Sequence, residues 1–114
     1  PVSIEYTAST VSKVSFVATR AYRVKTITGR VEIAGTGGAA TAVIGKVASG
    51  TAIASATALH TGSFNFVGTT LTNQVLTPAA AANLEIAAGD AIGIVITGTI
   101  TSASGVITVN LVPV

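Results

Sequence analysis

Side chains that commonly perform acid–base or nucleophilic chemistry are few in this 114-residue chain. It has one histidine, no cysteine and four widely spaced acidic residues, Glu5, Glu32, Glu85 and Asp90. A Ser-His-Asp triad would use His60 and Asp90 with one of many serines, but no nucleophile-elbow sequence accompanies them. We therefore expect no enzyme activity, and a small hydrolase is the least favoured alternative.

Metal and cofactor sites have equally little support. Transition metals need clustered histidine, cysteine or carboxylate ligands, and calcium loops need a regular series of acidic residues. His60 stands next to Thr61 and Gly62 and is predicted to be an exposed loop residue, while Asp90 follows Gly89 in a predicted turn. The sequence thus predicts no metal, no cofactor and no small-molecule substrate.

Basic residues are concentrated in the first part of the chain. All six Lys and Arg residues lie within residues 1–46 with two acidic residues, a net charge of +4, whereas residues 47–114 have a net charge of −2. Arg23 and Lys25 are two positions apart in a predicted strand and so share a face, with Arg20 near its end. A solvated face is the simplest interpretation, and docking on an acidic partner surface is the functional one. Nucleic-acid binding is not expected, because aromatic side chains do not alternate with the basic ones and no nucleic-acid-binding module is recognised.

The first ten residues are predicted to form an N-terminal arm or first strand, ahead of a single β-sandwich domain over residues 11–114. Apolar residues alternate with polar ones in this arm, which predicts a strand that adds to a sheet of a neighbouring chain. Together with the basic residues, the arm gives the hypothesised partner-binding set: Val2, Ile4, Tyr6, Arg20, Arg23 and Lys25.

Composition favours an all-β fold without a membrane span. Hydrophobic residues make up 49% of the chain and charged residues 9%, so self-association or docking on a larger assembly is expected. Clusters of Gly, Pro, Ser and Thr recur about every ten residues, as between short strands. The uncharged segment 91–114 is interrupted by Gly, Asn, Ser and Thr, which argues against a transmembrane helix. The first twenty residues have no apolar run of signal-peptide length, so synthesis in the cytoplasm without a signal peptide is expected.

The segment Asn83–Thr99 has the clearest strand pattern. Its apolar residues alternate on both sides of a Gly89-Asp90 turn, which predicts a β-hairpin. A second hairpin is predicted to pair residues 92–99 with residues 106–112. The alternating positions expected in the core or in a subunit interface are Leu84, Ile86, Ile92, Ile94, Ile96, Ile107, Val109 and Leu111.

Two further patterns indicate a sandwich. The apolar residues between Arg20 and Ile33 change parity, which predicts a β-bulge or bend near Thr26–Gly29. Phe64 and Phe66 are two positions apart and share a face, so they are expected in the core, with an interface anchor as the alternative. We therefore predict an all-β, jelly-roll-like β-sandwich of about eight strands with almost no helix.

Two stretches resemble known jelly-roll proteins. Asn83–Thr99, an apolar strand, a Gly-Asp turn and a long apolar strand, is similar to the late hairpin of trimeric tumour-necrosis-factor-like and C1q-like jelly rolls. The run A-Y-R-V-K-T-I-T-G-R-V-E-I-A-G-T-G-G-A-A-T-A, followed by S-G-T-A-I-A-S-A-T-A-L-H-T-G-S-F-N, resembles small capsid decoration, or cement, proteins of tailed bacteriophages. This second resemblance covers Ala21 to Val112.

The decoration-protein resemblance implies a structural virion protein that sits on a capsid lattice and stabilises it. The partners it implies are the major capsid protein and other copies of the chain, as a homo-trimer on the capsid surface. A receptor- or glycan-binding head fibre or tail tip of a phage particle is the alternative. Such a module usually presents aromatic or polar clusters in its loops, whereas these loops are mostly Gly, Ala, Ser and Thr.

Overall fold

The computed structural model of this chain consists of two facing antiparallel sheets. It describes residues 2–6 (main chain), 12–33, 35, 40–66, 71–98 and 103–114. Within these residues there is no α-helix, and two short 3-10 turns occupy Ile53–Ser55 and Ala81–Leu84. The strands are β1 (Val2–Tyr6), β2 (Lys13–Val17), β3 (Tyr22–Ile33), β4 (Thr41–Val47), β5 (Thr57–Ala58), β6 (Phe64–Asn65), β7 (Asn73–Leu76), β8 (Glu85–Ile86), β9 (Ala91–Thr97) and β10 (Ser104–Pro113).

The strand order is that of a jelly roll. Sheet A has the order β1-β10-β3, with β7 and β8 both paired to β3, and sheet B has the order β2-β9-β4, with β5 and β6 both paired to β4. Since each of these short pairs shares one edge position, the ten described strands fill eight positions, four in each sheet. Eight strand positions in two facing antiparallel sheets match the double-sheet jelly roll. The predicted all-β sandwich is confirmed.

The core lies between the two sheets and contains every alternating position expected there. Five of these residues are buried, and the other three, Leu84, Ile96 and Leu111, are partly buried and pack against them. Phe64 and Phe66 are fully buried, with their ring centroids 5.5 Å apart in an edge-to-face arrangement. The core interpretation of this pair is confirmed, and the interface alternative is wrong.

The predicted hairpin around Gly89-Asp90 is wrong, because the turn is a corner between the two sheets. Strand β8 belongs to sheet A and β9 to sheet B. Gly89 has a φ of 92°, and the Asp90 carboxylate accepts the Ala87 N–H at 3.0 Å. The Gly89 N–H donates to the Ala18 carbonyl, and the Ala18 N–H donates to the Asp90 carbonyl, both at 2.8 Å. These bonds hold the chain while it crosses from one layer to the other.

The second predicted hairpin is also wrong. Strand β9 pairs with β2 and β4 in sheet B, whereas β10 pairs with β1 and β3 in sheet A. The connection at residues 99–102 lies outside the described residues. Apolar and polar residues alternate in the same way in a strand with an apolar inner face whether the next strand joins its own sheet or the facing one. The pattern therefore predicts where the strands lie, but not which strands pair.

A β-bulge at Lys25 lets β3 bury residues of both parities. Val24 is opposite Leu111 and Thr26 is opposite Asn110, so Lys25 is the extra residue. Val24 and Ile27 are consequently both buried although they are three positions apart. The predicted bulge is present, one residue before the range expected for it.

Candidate functional site

The two longest sheet edges lie on the same side of the sandwich. β1 is the edge of sheet A and β2 the edge of sheet B, and these two strands contact each other. The opposite edges are formed by β5, β6 and β8, of two residues each, and by β7, of four. Very short edge strands are poor templates for pairing with another chain. The β1–β2 side is therefore the better surface for an added strand.

The predicted partner-binding residues Val2, Ile4 and Tyr6 lie in β1, which forms a strand as expected. This strand pairs with β10 of its own chain, from Val2 opposite Val109 to Tyr6 opposite Gly105, without a register shift. The chain itself thus fills one edge of β1. Pairing with a neighbouring chain stays a prediction for the other edge.

Of the predicted basic residues, Arg23 and Lys25 lie in β3, which neighbours β10 in the same sheet, and Arg20 lies outside the strands. Arg23 Nη2 is 3.3 Å from Glu85 Oε1, in a pair whose side chains are 51% and 64% exposed. Lys25 is exposed at the bulge, and Arg20 is exposed just before β3. Neither is in an ion pair within the part of the chain that the structure describes. Arg20 and Lys25 therefore offer more charge to a partner than Arg23 does.

Two exposed valines on β2 form an apolar strip that sequence reasoning did not select as a site. Val14 is 43% exposed and Val17 is 59% exposed. They are opposite Gly93 and Ala91 of β9 and so share the outer face of sheet B. The run was recognisable as apolar, but only the register shows that these valines point away from the core.

Two glycines let the connection at residues 53–56 cover the rest of the outer face of sheet B. A Cβ on Gly93 would lie 2.8 Å from Ile53 Cδ1, and a Cβ on Gly45 would lie 2.6 Å from the Ala56 Cβ. The absence of side chains at both positions lets the 53–56 connection lie directly on the sheet. It covers the middle of the face and leaves the valines of β2 exposed.

His60 is 3% exposed, so the prediction of an exposed loop residue is wrong. The segment runs beside β4, where the Leu59 N–H donates to the Ile44 carbonyl, and this pairing carries the histidine inward. Its Nε2 accepts the Ile44 N–H at 3.0 Å, which assigns the ring proton to Nδ1, 3.1 Å from the Thr61 carbonyl oxygen. Both ring nitrogens thus hold the main chain in place, as the Asp90 carboxylate does at its corner.

Replacing His60 with phenylalanine is expected to lower the free energy of unfolding by about 1–3 kcal/mol, since the buried Ile44 N–H loses its acceptor. Urea denaturation would measure the change. A His60→Gln variant is the matched control, because its side-chain oxygen can reach the position of Nε2 and should restore part of the loss. A phenylalanine variant as stable as the original chain would contradict this role.

The described residues contain neither a cluster of three or more potential metal ligands among their His, Cys, Asp and Glu side chains nor a long apolar helix. They contain no group of three or more His, Cys, Asp or Glu side chains that could hold a metal ion. No helix among them is long and apolar enough to cross a membrane.

No protein-family model matches this chain, and no curated protein or solved structure is significantly similar to it. The function must therefore be inferred from the fold and its surfaces.

Proposed function

We propose that this chain is a structural virion protein that decorates and stabilises a bacteriophage capsid by binding the lattice of the major capsid protein and copies of itself. The observation that carries the proposal is the side of the sandwich where the edges of β1 and β2 meet. Two five-residue edges and the exposed Val14 and Val17 lie there together. Such a surface suits assembly, because edge strands and exposed apolar side chains both favour contact between chains.

The charges of the chain fit the same proposal. Arg20 and Lys25 supply positive charge near one end of sheet A, and the rest of the surface is poor in charge. Exposed charges mainly steer and orient an encounter, while main-chain pairing and apolar burial supply the affinity. An acidic capsid surface is the partner that this arrangement fits.

Imaging of virions of the phage that encodes this chain would test the proposal. We expect density for an 11.2 kDa β-sandwich at repeated positions on the outside of the shell. Purified virions from which mass spectrometry recovers no copy of the chain would rule the proposal out.

Self-association into a homo-trimer is part of the proposal, and a charge in the valine strip should weaken it. In sedimentation equilibrium we expect the original chain to have an apparent mass above the 11.2 kDa of one copy. Val17→Asp should shift it toward the monomer, since burying an unpaired carboxylate is costly. Val75→Asp is the matched control, because Val75 is 74% exposed on β7 at the opposite side of the sandwich. A shift caused by Val75→Asp alone would place the interface elsewhere.

A further inference from the structure

One end of the sandwich contains an open cavity of ≈ 400 Å³ between the two sheets. Its volume falls within the range of about 300–1,000 Å³ usual for small-molecule sites. Tyr22, Glu85 and Ile86 line it from sheet A, and Lys46 lines it from sheet B. Small apolar residues, Ala21, Ala82 and Ala87, complete much of the wall.

Lys46 is an unusual residue for its position in β4. It has the same parity as the buried Ala42 and Ile44, and it is opposite the buried Ile92 in β9. Its ammonium therefore reaches between the sheets, where Nζ donates to the Glu85 carbonyl oxygen at 2.5 Å. An ammonium has three donors, and one carbonyl oxygen leaves both its charge and its remaining donors available.

Two carboxylate side chains, those of Glu85 and Asp90, also line the cavity, and both bond to groups other than the Lys46 ammonium. Glu85 is paired with Arg23, and Asp90 accepts the Ala87 N–H in the corner between β8 and β9. Neither ion pair within the described residues includes Lys46. The Lys46 ammonium thus has no ion-pair partner within the described residues.

We propose that this cavity binds a small organic carboxylate, whose charged group bonds to the Lys46 ammonium and whose apolar body lies against Ala21, Ala82 and Ile86. A charge-assisted hydrogen bond is stronger than a neutral one, and small-molecule pockets commonly combine apolar walls with a few placed polar groups. This site is separate from the β1–β2 side, so it goes beyond the proposed assembly function and does not depend on it.

Titration with hexanoate, followed by the amide chemical shifts of the full chain, would test the site. We expect saturable shifts at residues 21, 82 and 86–87. Hexan-1-ol, which has the apolar body without the charge, should bind at least about tenfold more weakly, as expected for loss of one charged hydrogen bond. Hexylamine, which carries the opposite charge, should bind no better than the alcohol.

Two lysine variants complete the experiment. Lys46→Gln should reduce hexanoate affinity about tenfold, because glutamine retains a donor for the Glu85 carbonyl but carries no charge. Lys25→Gln removes the same charge from an exposed position and should leave the affinity unchanged. Absence of saturable shifts, equal losses in both variants, or tighter binding of hexylamine than of hexanoate would each overturn the proposal.

Discussion

Replacing Gly29 with alanine is expected to lower the free energy of unfolding by about 3 kcal/mol, the upper end of the usual cost of overpacking. A Cβ at this position would lie 2.1 Å from Phe64 Cε1 and 2.6 Å from Cδ1. The ring has little room to move, because it is fully buried and packs edge-to-face on Phe66. The strand is equally constrained, since Gly29 is paired with β10 on one side and β7 on the other. Urea denaturation at equilibrium would measure the loss.

A double-mutant cycle identifies the clash as the cause. If the alanine methyl and the Phe64 ring compete for one space, Gly29→Ala should cost less in a Phe64→Leu background than in the original chain. Thr28→Ala changes the neighbouring outward position of the same strand and should cost less than about 1 kcal/mol. A loss below that value for Gly29→Ala, or equal losses in both backgrounds, would contradict the argument.

The core could be predicted from the sequence because it depends on one local property. Side chains alternate across a strand, so a run such as Ile92, Ile94 and Ile96 places its members on one face wherever the strand lies. The same rule located the parity change in β3, which the structure resolves with the bulge at Lys25. Short stretches of this chain are therefore enough to predict where its strands lie and which of their residues are buried.

Strand pairing depends on distant residues and could not be predicted in the same way. The Gly89-Asp90 turn has the residues of a hairpin, yet β8 pairs with β3 in sheet A and β9 pairs with β2 and β4 in sheet B. Ala18, distant in sequence, bonds to both turn residues. The burial of His60 could not be predicted for a similar reason. Its environment is set by Ile44, sixteen positions earlier.

The proposed sites also combine local features, which the sequence predicts, with distant contacts, which it does not. Arg23 and Lys25 were recognised from their types and spacing, but the Glu85 partner that distinguishes Arg23 comes from a strand 62 positions later. Lys46 gave no signal in the sequence, because a lysine between apolar residues usually keeps its charged end in water. Only the facing sheet and the Glu85 carbonyl show that it reaches a cavity.

Deleting residues 1–7 is expected to reduce occupancy on capsids at least tenfold, and to do so at every salt concentration. The deletion removes β1, whose outer edge is the proposed template for a neighbouring strand and whose inner edge covers β10. Loss of about 1.4 kcal/mol of pairing energy already gives a tenfold change, and main-chain pairing is not a screened interaction. Rebinding of purified protein to shells that lack it, measured between low and high ionic strength, would give the occupancy.

A charge variant separates strand pairing from electrostatic steering. Arg20→Ser combined with Lys25→Ser should weaken rebinding mostly at low ionic strength, because exposed charges are screened over about 10 Å at 0.1 M salt. Arg23→Ser should have a smaller effect than either of these changes alone, since Glu85 already neutralises part of its charge. The free energy of unfolding of the truncated chain must be measured alongside, because loss of β1 also exposes the edge of β10. A folded truncated chain that rebinds as well as the full chain would show that β1 only completes its own sheet, and the docking edge would then have to be β2.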